Sequence, residues 1–203
     1  MVLSVVRQLR EELEKTEMPA QHGFSDIPLF IGSSSGFIGL MERNGDAAQG
    51  NLPPAADYGT QIAQWVGARI PPRCFSTACT SSIAALDTAA LLIGSGHLDR
   101  ALVVGIELAN DTTLGGFASL GLLTQTHGRP LDAARDGMVL GEAVAGILLT
   151  AEAPSGATHA WRLAGLDMRL ETHSITGPDP EGRLVALTMC NALTQAGLSP
   201  SAI

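Results

Sequence analysis

Apolar residues along this chain fall into short runs typical of buried strands, separated by stretches with helical spacing. The predicted strands are Pro28 to Ser33, Arg73 to Ala78, Arg100 to Leu108, one or two strands within Met138 to Ala151, and Trp161 to Glu171. The predicted helices are Val5 to Lys15, a stretch after Gly36, Asp57 to Arg69, a helix from about Thr80 to Ile93, and Gly182 to Ala196. Strands that alternate with helices in this way predict a layered α/β domain.

The helix predicted from about Thr80 has an unusual pattern. Between Ile83 and Ile93 it is apolar on nearly every side, interrupted chiefly by Asp87 and Thr88. Such a helix is expected in the centre of a fold rather than on its surface. Residues 109 to 135 carry several glycines and are predicted to be mainly loop.

Composition narrows the class of protein. With 203 residues and 45% hydrophobic content, the chain can build a sizeable core and is expected to form one domain. A net charge of -8 argues against nucleic acid and anionic membranes as partners. The sequence has no signal peptide pattern and no apolar run of the ~20 residues that span a bilayer. We therefore expect a cytoplasmic protein.

Cys79 is the sharpest candidate for chemistry. It lies where a predicted strand runs into the buried helix, with the small residues Ala78, Thr80 and Ser81 around it. Unpaired N–H groups and the macrodipole at a helix N-terminus stabilise a thiolate, which makes a thiol nucleophilic. The alternative is that Cys79 is only a small buried apolar residue. The three cysteines have no CxxC spacing, so neither a disulfide framework nor a zinc site is predicted.

The segment around Cys79 resembles the active-site segment of β-ketoacyl synthases, condensing enzymes of the thiolase superfamily. The run TACTSS, the apolar helix and the run GHLDRALVVGIE follow one another in the order of that family. Further matches are FASLGLL from Phe117, RPLDAARDGMVLGE from Arg129 and THSITGPDPEG from Thr172. The resemblance covers about residues 28 to 203. It implies that residues 1–203 form a single, truncated thiolase-like N-terminal half, with a mixed sheet between helices and a buried central helix.

The same resemblance implies roles for two residues. Cys79 would be the catalytic residue that takes an acyl group, as a thioester, from the phosphopantetheine of an acyl carrier protein, before a decarboxylated malonyl unit attacks it. The backbone N–H of Cys79 would belong to the oxyanion hole. Phe117 would be a substrate-binding residue beside the acyl pocket. No cofactor or metal is expected beyond the phosphopantetheine that carries the substrates.

The family's two catalytic histidines belong to its second half, which we expect this sequence to lack. The histidines of this chain match none of the family's histidine motifs and are interpreted as surface or loop residues: His22, His97, His127, His159 and His173. Four charged residues are interpreted as a structural polar network, because buried charges require partners: Asp132, Arg135, Asp136 and Glu142. We therefore do not expect the chain to be an active acyltransferase by itself.

Three functions are compatible with such a half, and we favour the first. It is a chain-length-factor-like subunit that forms a heterodimer with a full-length ketosynthase in type II fatty-acid or polyketide biosynthesis. The second is a split enzyme in which Cys79 is acylated and a second thiolase-like half supplies the histidines. The third is a scaffold without acyl chemistry. All three require a partner, since an isolated half exposes a large apolar face. The net negative charge of the chain is unfavourable for binding an acidic carrier protein, which favours the first and third functions over the second.

The glycine-rich turn from Gly32 to Gly36 allows a less favoured hypothesis. Such a turn before a helix can hold a phosphate group. It lacks the lysine and spacing of a P-loop and the GxGxxG pattern of dinucleotide sites. Nucleotide binding is therefore a minor alternative.

Overall fold

The computed structural model describes residues 7–8, 11, 24–36, 38–44, 56–153, 161–174, 177 and 179–203. These belong to two compact units, Met1–Glu152 and Ala153–Ile203. The predicted helix from Val5 to Lys15 lies almost wholly outside the described residues. The expectation of one thiolase-like half over residues 1–203 spans both units and stays a prediction.

The described strands form one mixed sheet in the first unit. They are β1 (Leu29–Gly32), β2 (Arg73–Phe75), β3 (Arg100–Glu107) and β4 (Ala143–Thr150). Their order is β2-β1-β3-β4. Strand β1 pairs in parallel with both β2 and β3, whereas β4 is antiparallel to β3. The mixed α/β class is confirmed, and the carboxyl ends of β1, β2 and β3 meet at one edge of the sheet.

The described helices are α1 (Ile38–Asn44), α2 (Ala56–Val66), α3 (Ser81–Gly94), α4 (Asp111–Ser119) and α5 (Arg183–Ala196), and a short 3-10 helix follows at Pro200–Ala202. All but α4 and the 3-10 turn correspond to predicted helices. None of these described helices combines the length and the apolar character needed to cross a bilayer.

Helix α4 corrects one part of the loop-rich stretch predicted over residues 109 to 135: its first third, including Gly115 to Phe117, is helical, and residues 120–135 contain no helix or strand. Asn110 caps it, its side chain accepting a hydrogen bond from the Thr113 N–H at 2.7 Å. Asp111 adds a negative charge in the first turn, which the helix dipole favours. Two central glycines, poor helix formers, hide this signal in the sequence.

Alternate residues of the central strands belong to two apolar clusters, one on each face of the sheet. On one face Leu29, Ile31 and Leu102 pack with Ile62 and Val66 of α2. The other face joins α3 to the sheet through a cluster made of Phe30, Ala85, Ala89, Ala101 and Val103. The sheet is thus covered by a helix on each side, as the layered prediction requires.

Only the sheet-facing side of α3 is buried. Its buried residues are Ser81, Ala84, Ala85 and Ala89. On the other side, Ile83 is 42% exposed and Leu91 is 68% exposed. The prediction of burial on nearly every side is therefore wrong for the described structure, because only the side of α3 that faces the sheet has a packing partner there.

In the second unit, the strand predicted over Trp161 to Glu171 is wrong. The segment belongs to no sheet ladder among the described residues. Its Leu166 N–H donates instead to Gln195 Oε1 at 3.1 Å, and Gly165 lies so close to the Ala192 carbonyl that a Cβ there would collide with it. The middle of this segment therefore lies against α5 and pairs with no strand.

Two paired glycines let the start of α3 rest directly on the sheet. Gly32 of β1 and Gly105 of β3 are partners in the parallel ladder. A Cβ on Gly32 would come within 2.5 Å of the Ser81 carbonyl group, and one on Gly105 within 2.6 Å of Ser82 Oγ. A side chain at Gly32 would push the backbone of the first turn of α3 off the sheet, and one at Gly105 would displace the Ser82 side chain.

Gly32→Ala should therefore destabilise the chain by about 2 kcal/mol or more, because overpacking against backbone is relieved only by moving it. The midpoint of urea unfolding would measure this. Gly94→Ala is the matched control, since a Cβ at Gly94 meets nothing within 4 Å, and its midpoint should be unchanged or raised. Equal midpoints for the two variants would contradict the close approach.

Candidate active site

Cys79 lies in a sharp turn between β2 and α3. The residue before it, Ala78, has φ = 53°, in the left-handed region that non-glycine residues rarely adopt. Helix α3 begins at Ser81, two residues after Cys79, and Cys79 is exposed. Strain of this kind costs of order ~1 kcal/mol and persists where the surrounding structure enforces it, often at active sites.

Three hydrogen bonds to the Ala78 carbonyl stabilise this turn. It accepts a hydrogen bond from Ser34 Oγ at 3.0 Å and one from Ser81 Oγ at 2.5 Å. The Ser81 N–H also donates to it, at 3.1 Å. The Ser81 hydroxyl in turn accepts from the Thr77 N–H at 3.0 Å. Hydroxyl groups from β1's loop and from α3 therefore fix the strained peptide.

Glu107, at the end of β3, organises the loop that follows β1. Its carboxylate accepts hydrogen bonds from the Ser34 N–H at 2.9 Å and the Ser35 N–H at 3.3 Å, and from the Ser35 hydroxyl. The amides that the phosphate hypothesis requires are thus occupied by a carboxylate of the chain itself. Nucleotide binding at Gly32 to Gly36 is not supported.

The same run also fits the Gly-x-Ser-x-Gly pattern of serine hydrolases, with Ser34 at its centre. That pattern requires a strained nucleophile with a free hydroxyl. Ser34 is not among the positive-φ residues of the described chain, and its hydroxyl donates to the Ala78 carbonyl. Ser34 supports the turn at Cys79 and lacks the geometry of a hydrolase nucleophile.

Phe117, the predicted substrate-binding residue, lies within α4 and is half-exposed. Helix α4 follows β3 and so begins at the edge of the sheet beyond which Cys79 lies. Its N-terminal amides are held by Glu42 of α1, which accepts from the Asp111 N–H at 2.7 Å and the Thr112 N–H at 2.8 Å. No residue of α4 is buried. The role of Phe117 stays a prediction.

Three of the five histidines fall within the described ranges, and all three are exposed, as expected. His97 follows α3, whose 14 residues extend ~21 Å, so it lies at the far end of the helix from Cys79. His127 Nε2 accepts from Arg129 Nε at 3.1 Å, and the backbone of His173 donates to Glu171. His22 and His159 lie outside the described residues.

The four charged residues predicted to form one polar network do not do so. All four are exposed; Asp132, Arg135 and Asp136 make contacts within their own loop, whereas Glu142 binds a more distant segment. Glu142 accepts from the Ala109 N–H at 2.8 Å. Asp136 accepts from Thr124 Oγ1 at 2.5 Å, and this hydrogen bond lowers the pKa of Asp136. Asp132 Oδ1 accepts from the Ala134 N–H at 2.7 Å, and Arg135 donates to the Asp132 carbonyl. Their role is structural, but they form no single network.

Cys74 is a weaker candidate nucleophile than Cys79. Burial of its thiol raises the pKa of Cys74, although a hydrogen bond from Tyr58 partly offsets this. Its sulfur also lies so close to Gly59 that no side chain could stand there. Within the described ranges, no three His, Cys, Asp or Glu side chains come together as metal ligands.

Comparison with known proteins points to one family. Residues 4–154 match the sequence profile described as β-ketoacyl synthase, N-terminal domain. The chain is 31% identical over 213 aligned positions to 3-oxoacyl-[acyl-carrier-protein] synthase 2 of Coxiella burnetii, covering 95% of this chain and 50% of that protein. It is 32% identical over 149 positions to the protein of the same name from Synechocystis, covering 68% and 36%. The chain thus spans half or less of these relatives.

A solved structure shares the fold over nearly the whole chain. It is the ketosynthase ApeO in complex with its chain length factor ApeC, from Xenorhabdus doucetiae. The TM-score is 0.79 at 25% sequence identity, covering 99% of this chain and 52% of the other. The predicted thiolase-like, ketosynthase fold is confirmed.

Glu107→Gln should destabilise the chain by about 1–3 kcal/mol, the range for hydrogen bonds to a charged group. The amide keeps the shape of the carboxylate but turns one N–H donor toward the Ser34 or Ser35 amide. Urea unfolding would measure the change. Asp87→Asn, which alters an exposed carboxylate on α3, is the matched control and should leave the midpoint unchanged. A Glu107→Gln midpoint equal to that of the control would contradict the anchoring role.

Proposed function

Because the chain belongs to the β-ketoacyl synthase family through its N-terminal domain, we propose that it is the nucleophile-bearing part of a condensing enzyme. In this proposal Cys79 accepts an acyl group from the phosphopantetheine thiol of an acyl carrier protein. The observation that carries it is the exposed Cys79 in a strained turn at the start of α3. Strained residues cluster at active sites, where the surrounding structure enforces them.

The proposed step is a transthioesterification. The Cys79 thiolate attacks the carbonyl carbon of the acyl thioester and forms a tetrahedral intermediate, whose oxyanion the Cys79 N–H helps to stabilise. The bond from that carbon to the pantetheine sulfur then breaks. The pantetheine leaves as a thiolate and takes up the proton lost by Cys79. An acyl-enzyme of this kind divides the condensation into two easier reactions.

The second reaction needs groups that we assign to a partner. Within the described ranges, no hydrogen bond joins a histidine to the Cys79 side chain, and the described histidines serve loops and helix ends. We propose that a second thiolase-like half, or a full-length ketosynthase, supplies the groups that decarboxylate the malonyl unit. The exposed outer side of α3, with Ile83 and Leu91, supports such a partner.

A chain-length-factor-like role is the second candidate. The solved relative with 25% identity is a ketosynthase in complex with its chain length factor. In this role the chain would shape the acyl pocket of a full-length ketosynthase, within a type II fatty-acid or polyketide system, without acylation of Cys79. The strained turn around an exposed thiol favours the acyl-acceptor role over this one.

Incubation with an acylated carrier protein should add the mass of the acyl group to the wild-type chain and not to Cys79→Ser. Intact mass spectrometry of the chain together with its co-purified partner measures this. Cys190→Ser, which removes another exposed thiol, is the matched control and should be acylated like the wild type. An adduct on the partner alone would favour the chain-length-factor role, and no adduct on either would favour a scaffold.

Co-expression with a full-length ketosynthase from the same genome should yield a stable 1:1 complex, because the outer side of α3 needs cover. Size-exclusion chromatography with light scattering measures the stoichiometry. Leu91→Lys, which places a charge at a 68% exposed position of that side, should weaken the complex without unfolding the chain. Arg7→Lys changes an exposed residue with its charge kept and serves as the control. Failure of the wild-type chain to bind would exclude this ketosynthase as the partner.

A further inference from the structure

We propose that Ser34 is a positioning residue for the backbone amide of Cys79. This inference rests on the proposed acyl transfer, in which that amide stabilises the oxyanion. Ser34 comes from the loop after β1 and is 44 residues away along the chain from the carbonyl to which it donates. Its hydroxyl therefore ties the turn at Cys79 to a different part of the fold.

The geometry follows from the planarity of the peptide bond. The Ala78 carbonyl and the Cys79 N–H belong to one trans peptide group, so they point in opposite directions within one plane. Hydrogen bonds from Ser34 Oγ at 3.0 Å and Ser81 Oγ at 2.5 Å hold the carbonyl. Two hydroxyl groups that fix the carbonyl thereby fix the direction of the Cys79 N–H.

The hydroxyl groups of Ser34 and Ser81 stabilise the Ala78 carbonyl from different parts of the fold. Ser81 belongs to the first turn of α3 and moves with the turn that it supports. Ser34 is held from outside that turn, because its own N–H donates to the Glu107 carboxylate at 2.9 Å. Glu107 ends β3, a central strand of the sheet that pairs with both β1 and β4 and is buried over residues 101 to 104. Ser34 therefore connects the Cys79 peptide to the rigid centre of the fold.

Orientation of this amide matters only for reactions that form an oxyanion. Removal of one oxyanion donor slows acyl transfer by a factor of ~10² to 10³. Loss of the Ser34 hydroxyl leaves the amide in place but less firmly oriented, so a smaller effect of about tenfold is expected. Alkylation of a thiol by iodoacetamide is a displacement at a saturated carbon, forms no oxyanion and should not respond.

The test compares two reagents on the full chain. With p-nitrophenyl acetate, a bond forms between Cys79 Sγ and the acetyl carbon, the ester C–O bond breaks, p-nitrophenolate leaves with the electron pair, and the thiol proton is released. Iodoacetamide alkylates the same sulfur. Peptide mass mapping follows the rate at Cys79 for wild type, Ser34→Ala, Ser34→Thr and Ser95→Ala. Ser95 is the matched control, since its hydroxyl also donates to a backbone carbonyl, that of Leu91, at the other end of α3.

We expect Ser34→Ala to slow acetylation of Cys79 about tenfold and to leave alkylation within twofold of wild type. Ser34→Thr, which keeps the hydroxyl at an exposed position, should restore the acetylation rate, and Ser95→Ala should match wild type. Equal slowing of both reactions would reveal a general disturbance of the turn and overturn the proposal. So would unchanged acetylation, or an acetyl group found on Ser34 itself.

A second measurement tests the positioning without any reaction. In protein labelled with 15N-cysteine, Cys79→Ser identifies the amide signal of Cys79 among those of the three cysteines. Ser34→Ala should shift or broaden that signal and leave the signals of Cys74 and Cys190 in place, whereas Ser34→Thr should not. An unmoved Cys79 signal would overturn the proposal. If these results hold but no carrier protein loads the wild type, the proposed function fails and the positioning by Ser34 stands.

Discussion

The approach of α3 to the backbone of two paired glycines is the constraint on which the rest of the structure depends. Because Gly32 has no side chain, the backbone of the first turn of α3 lies against β1 at a distance that excludes even a methyl group, and the Ser82 side chain fills the space beside its ladder partner Gly105. That contact sets where the turn before the helix must be. Ala78 takes up the strain, at φ = 53°, and Cys79 is left facing outward. The close contact fixes the position of the turn from which the thiol is presented.

Carboxylates stabilise the loops around this turn by binding backbone amides. Glu107 binds the loop after β1, Glu42 binds the start of α4, and Glu142 binds the Ala109 N–H. A carboxylate that accepts N–H bonds is well satisfied without a basic partner. The net charge of -8 is therefore partly structural. The acidic balance says less about the chain's partners than composition alone suggested.

Sequence reasoning succeeded where the determinants are local. The runs that became β1 and β3, and the apolar pattern of α3, identify these elements, whereas the role that TACTSS suggests for Cys79 stays a prediction. Sequence reasoning failed where an element depends on contacts between residues that are distant in sequence. The start of α4 depends partly on Glu42, whose partners lie 69 and 70 residues away. The segment from Trp161 to Glu171 alternates like a strand, but its neighbour is a helix. The hydrogen bond from the Ser34 N–H to the Glu107 carboxylate cannot be recognised from the residues around either position.

The separation of Glu107 from its loop also bears on how the protein is made. Ser34 and Glu107 are 73 residues apart, and the turn at Cys79 lies between them. A chain emerging from the ribosome at ~5–20 residues per second exposes the cysteine before β3 exists. The sheet, whose central pairings are non-local, must close before the turn gains its support. The turn that presents Cys79 therefore takes its final shape only after β3 has inserted, so the exposure and surroundings of this thiol are set by one of the later steps of folding.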